Sequence, residues 1–107
     1  MIDERELIET IGRVDATALQ HWIELGWVLP AYDNDRVRFD YSDVARVRLI
    51  CELHYELQIE EDSLSVVLSL LDQLYTVRRS LRMLLSAIEA QPEEVRARIA
   101  ALVKTER

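Results

Sequence analysis

The chain has 107 residues, half of them hydrophobic, with two Gly, two Pro, one Cys and a net charge of −7. That is one domain's worth of chain with few turn residues, which excludes a disordered or strand-rich protein and predicts an all-α (mainly) fold around one modest core. The single Cys51 excludes a disulfide scaffold, the lack of a charge-free stretch of about 18 residues excludes a membrane span, and the acidic balance argues against binding nucleic acid through bulk charge.

The first predicted helix covers Glu4 to Ile11, with Leu7, Ile8 and Ile11 on one face, and Gly12 stops it. The acids Asp3, Glu4 and Glu6 stand where a secretory leader would be basic and then apolar, so a cytoplasmic protein is expected. Asp15 caps a second helix, Ala16 to Leu25, whose Ala16, Leu19, Trp22 and Ile23 face inward; Gly26 supplies the left-handed residue that ends it. Trp27, Val28 and Leu29 lead to Pro30, and Tyr32, Asp33, Asn34 and Asp35 form a hairpin or wing tip before the alternating run Val37, Arg38, Phe39.

Asp40 to Ser42 cap a third helix, predicted from Asp43 to Leu57, with Val44, Val47, Leu49, Ile50, Leu53 and Leu57 inward. Gln58 to Asp62 form a polar break with Ile59 turned back to the core, and the longest helix begins near Asp62, its acids suiting the positive end of the helix dipole. Along it Val67, Leu70, Leu74, Val77, Leu81, Leu84 and Ile88 alternate in steps of three and four, the spacing of a coiled-coil dimerisation seam. A second row, Leu64, Leu68, Leu71 and Leu85, widens the stripe and is expected to pack on the N-terminal half or on further partner helices. Pro92 ends the helix, and Glu93 to Val103 form a short amphipathic one through Val95, Ile99, Leu102 and Val103. The expected organisation is 1–61 as the N-terminal domain and 62–107 as a dimerisation helix with a short final helix.

Chemistry is sparse. His21 and His54 lie on different helices with no neighbouring Cys to complete a metal set, and neither a Gly-rich phosphate loop nor a nucleophile with its base is present. Glu60, Glu61 and Asp62 are a helix start, so no metal, cofactor or enzymatic activity is expected. Charge is more telling: residues 1–35 hold eight acids against Arg5 and Arg13, residues 36–60 hold five acids against four Arg, and the remainder balances at seven each. An acidic front favours a basic protein partner, with Glu24, Asp33, Asp35, Asp40 and Asp43 either a solvated face, in part helix caps, or a partner face. Trp22 is expected in the core, and Trp27 either there or as a partly exposed anchor. Arg78, Arg79 and Arg82 form a basic cluster on the long helix, either solvated or pairing with acids of a second chain.

The order of helix, turn, helix ending in Leu25, Gly26 and Leu29, then wing, third helix, Leu57, Gln58, Ile59 and a further helix resembles the MerR-type winged helix-turn-helix over residues 7 to about 68. Val14, Asp15, Thr17 and Leu19 stand at its second helix, and Phe39, Asp40, Tyr41 and Asp43 at the wing exit. Most of the chain is similar to the chaperone-modulator family CbpM, through Leu25 to Pro30, Phe39 and Asp40, and Leu53, His54, Tyr55, Glu56 and Leu57 before a Leu-rich helix. That resemblance implies binding to the J-domain of a CbpA/DnaJ-like co-chaperone, blocking its stimulation of Hsp70 (DnaK), and a homodimer through the long helix. The partner face would comprise Glu24, Trp27, Asp33, Asp35 and Asp40. DNA-binding members use basic residues on the second helix, whereas here no Lys or Arg occurs between Arg13 and Arg36, and the exposed positions are Thr17, Ala18, Gln20, His21 and Glu24. The alternatives are a DNA-binding MerR-family transcriptional regulator acting through Arg36, Arg38, Arg46 and Arg48, and a dimerisation module with an unrelated partner.

Overall fold

A computed structural model describes residues 1–105. Its elements are α1 (Glu4–Ile11), α2 (Ala16–Glu24), β1 (Ala31–Asp33), β2 (Arg36–Arg38), α3 (Tyr41–Cys51), a π-helical turn (Glu52–Glu56), α4 (Glu61–Glu89) and α5 (Glu93–Thr105). The fold is thus mainly helical, a helix-turn-helix with a small wing followed by a long helix. It divides into two compact units, Met1–Leu68 and a second beginning at Ser69.

Local signals place most boundaries. Asp3 accepts the Glu6 amide at 2.9 Å and Glu6 answers at the Asp3 amide, a capping box that starts α1, while Gly12 ends it at φ 78°. Asp15 accepts the Ala18 amide at 2.8 Å and starts α2. Gly26, also at φ 78°, lets the Trp27 amide reach back to the Trp22 carbonyl at 3.0 Å, satisfying a helix-end acceptor. The wing strands pair antiparallel, Ala31 with Arg38, Tyr32 with Val37 and Asp33 with Arg36. Asn34 and Asp35 both have positive φ, 51° and 66°, the backbone of a two-residue turn whose twist matches the strands, and Asn and Asp tolerate it better than most residues.

The core of the first unit gathers Leu7 from α1, Leu19 and Trp22 from α2, Trp27 and Val28 after it, Phe39, Val47, Ile50 and Cys51 around α3, and Leu64 and Leu68 from α4. Phe39 is 1% exposed and its backbone is bridged in both directions to Ile2, at 2.9 and 2.8 Å. The row of Leu64 and Leu68 therefore packs on the N-terminal half, but Leu71 is only half-buried and Leu85 is exposed.

Three expectations change. The third helix starts at Tyr41, two residues before Asp43, because Asp40 and Asp43 form a complete capping box. It does not run as one α-helix to Leu57. The Leu57 amide bonds the Glu52 carbonyl, five residues back, at 3.0 Å, and this extra residue per turn rotates the apolar stripe so that Leu57 ends 66% exposed rather than inward. Gln58 then turns at φ 55°, and the Ile59 amide on the Leu53 carbonyl at 3.0 Å folds Ile59 back onto the core. Ala16, expected inward, is exposed at the first position of α2.

In the second unit Ile88, Val95 and Ile99 are half-buried around the turn at Pro92, while Leu102 and Val103 are exposed. Of the seam, Val67 and Ile88 are half-buried, and Leu70, Leu74, Val77, Leu81 and Leu84 are exposed. Among the described residues, no helix is long and apolar enough to cross a membrane.

Because Phe39 joins the wing, the N-terminal segment and α3 in one core, Phe39→Ala is expected to destabilise the protein by about 3–5 kcal/mol. Urea unfolding followed by circular dichroism measures this, and a loss under about 1 kcal/mol would show that the core collapses around the gap.

Candidate partner-binding groove

The Ile2–Phe39 bridge brings the start of α1 against β2, two segments far apart in sequence. Between them, and closed on a third side by the start of α2, lies an open groove of about 750 Å³. Ile8, Ala16 and Val37 supply its apolar surface; Asp3, Glu4, Arg5 and Glu9 line it from the α1 side, and Asp35, Arg36 and Arg38 from the wing. A second concavity of about 610 Å³ runs along α2 past Thr17, Gln20, His21 and Glu24. Glu4 and Ala16 line both, so the two adjoin at the start of α1 and α2.

Its charges differ in how they are engaged. Arg5 lies 3.5 Å from Glu9 one turn on, and with both side chains largely exposed this pair contributes little to stability. Asp3 is occupied as the α1 cap. His21 Nε2 lies 2.8 Å from a Glu61 carboxylate oxygen, linking α2 to the first residue of α4. Arg46 directs its Nε–H to the Trp27 carbonyl at 2.9 Å, so this arginine braces the turn after α2. Among the described residues no group of three His, Cys, Asp or Glu is placed to hold a metal ion.

The residues singled out from sequence separate. Glu24 lines the concavity along α2 and Asp35 the groove, whereas Asp33 and Asp40 line neither, though both are exposed. Asp40 caps α3, accepting the Ser42 hydroxyl at 2.7 Å and the Asp43 amide at 2.9 Å. These bonds favour its ionised form and hold its carboxyl below the ordinary carboxylate value, while burial pushes that of Asp43 up. The Asp40 cap therefore contributes stability above the ordinary carboxylate range and loses it as pH falls through its lowered pKa.

Trp27 is a correction: at 9% exposure it packs in the core with Val28 and cannot stand out as an anchor. Its fate is decided by Gly26, which turns the chain back over α2. Sequence reasoning missed Glu4, Ile8, Glu9 and Val37 as site residues. The front-loaded acidity pointed to α1, but its placement beside the wing depends on the Ile2–Phe39 pairing, which no local pattern announces.

The family model for MerR HTH family regulatory protein matches residues 2–86, most of the chain and all of the first unit except Met1. Comparison with curated proteins and with solved structures yields no match. The match and the fold of helix-turn-helix, wing and long helix agree, and the chain belongs to the MerR helix-turn-helix family.

Proposed function

We propose that this MerR-family protein acts by binding rather than catalysis, as a chaperone modulator that engages the J-domain of a CbpA/DnaJ-like co-chaperone and inhibits its stimulation of Hsp70. The observation that carries this reading is the charge of the face around α2. In a helix-turn-helix the second helix enters the major groove. Here that helix exposes Thr17, Gln20, His21 and Glu24, carries no Lys or Arg, and adjoins the α1 side of the groove, where Asp3, Glu4 and Glu9 outnumber Arg5. Phosphates are repelled by such a surface, while a basic protein surface is attracted to it and guided in encounter. The similarity of the Leu25 to Pro30 turn and of the Leu53 to Leu57 stretch to CbpM supplies the partner's class. In this reading Glu24 and Asp35 centre the contact, with Asp33 and Asp40 at its margin, and the protein works in the cytoplasm.

A homodimer through α4 completes the proposal. Leu70, Leu74, Val77, Leu81 and Leu84, between 42 and 63% exposed, form an apolar row that water tolerates poorly and that a second copy would cover. Arg78, Arg79 and Arg82, all exposed, lie off the row midway along it and carry positive charge available to a partner chain's acids.

A second reading, a DNA-binding transcriptional regulator, is favoured by the family description and by Arg36, Arg38 and Arg48 in and beyond the wing. It requires duplex binding that weakens steeply with salt, at a slope near −0.9 per phosphate neutralised. With Arg46 engaged at the Trp27 carbonyl, few arginines serve that purpose.

Calorimetric titration of the full chain against an isolated J-domain at physiological salt is expected to give saturable binding at about 1 μM or tighter, near −8 kcal/mol. Absence of heat and of complex would refute the modulator reading. Sedimentation equilibrium is expected to show a dimer that the double substitution Leu74→Glu, Leu81→Glu converts to monomer with its helicity retained; a monomeric wild-type chain would refute the dimer.

A further inference from the structure

We propose that the groove between α1, the start of α2 and the wing is the docking site for an amphipathic protein helix, one that is basic along the edge facing α1 and α2 and acidic at the end facing β2. The inference deepens the reading above and rests on it: it names where and how the basic partner is held.

The groove has the composition of a helix-binding cleft. Ile8 and Val37 pack against the core from beneath and line the groove, and Ala16, the exposed first residue of α2, adds a small side chain that leaves the space open. An amphipathic helix uses its apolar stripe in such a depression, with its flanking charges meeting the rims. Here the rims differ in balance of charge. On the α1 side Asp3, Glu4 and Glu9 outnumber Arg5, which pairs with Glu9, and Glu24 on α2 adds to the acidity of this wall, whereas on the wing Arg36 and Arg38 outnumber Asp35. A uniformly anionic ligand such as a duplex would meet the wing favourably and the acidic wall unfavourably, and a uniformly cationic one the reverse. A helix of mixed charge, basic over most of its length, satisfies both, and the arrangement fixes its direction as well as its position. At about 750 Å³ the groove is large enough for several side chains, yet open to solvent, which suits the ridge of a protein surface better than an enclosed small molecule.

The test uses the full chain and an isolated J-domain as probe, by calorimetry. Ala16→Trp puts a large side chain into the groove from an exposed position, and Glu4→Lys with Glu9→Lys reverses the acidic wall; each is expected to weaken binding about ten-fold or more. The exposed Glu52→Lys, outside the groove, is expected to change it less than about two-fold. Wild-type affinity that survives in both groove variants would overturn the groove while leaving the J-domain reading intact, and a wild-type chain without J-domain affinity would overturn both. Should Ala16→Trp disturb folding, backbone amide shifts of the labelled wild-type chain decide the matter. Perturbation centred on Ile8, Ala16 and Val37 supports the groove, and perturbation elsewhere overturns it.

Discussion

Phe39 sits where three parts of the chain meet. Its side chain is sealed in the core, its backbone pairs on both sides with Ile2 just before α1, it continues directly from β2, and the next residue, Asp40, caps α3. A wing of two three-residue strands would not hold its place alone, since an isolated hairpin is at best marginally stable in water. Anchored through Phe39, it is fixed against α1, and the acids of α1 come to face the arginines of β2 across a common depression. The groove is thus a consequence of one buried aromatic and two backbone hydrogen bonds.

The helix-turn-helix itself is a scaffold here. Its turn is determined by Gly26 and by Trp27 folding back under the helix that precedes it, with Arg46 bracing the Trp27 carbonyl from α3. The surface laid over that scaffold bears on the proposed function. Neutralising phosphate charge takes Lys or Arg, and from Val14 to Asp35 the chain has neither, while Glu24 and Asp35 are exposed. On the reading proposed above, the fold presents an acidic second helix where a DNA-binding relative would meet nucleic acid.

Most of the architecture is legible in the sequence because its punctuation is local. Gly12, Asp15, Gly26 and Asp40 each act within a few residues, and each element boundary near them falls within two residues of its expected position. The departures arise from longer range. The π-helical turn after Cys51 depends on how α3 and α4 are joined, with the His54 ring Nδ1 held 2.9 Å from the Ile59 carbonyl, and an apolar period alone gives no warning of the added residue that turns Leu57 outward. Trp27 looks from sequence like a residue with two futures, and only packing decides between them. Of the residues around the candidate groove, Glu24 and Asp35 stand out from charge alone, whereas Ile8, Glu9 and Val37 come beside them only through the pairing of Ile2 with Phe39.

The proposed function requires that the helix-turn-helix surface serve a protein partner. Its most direct test is a competition at physiological salt, in which a fluorescently labelled J-domain bound to the full chain is challenged with a large excess of duplex DNA and, separately, of unlabelled J-domain. Only the unlabelled J-domain is expected to displace the label. Displacement by the duplex, or a label that never binds while the duplex does, would contradict it.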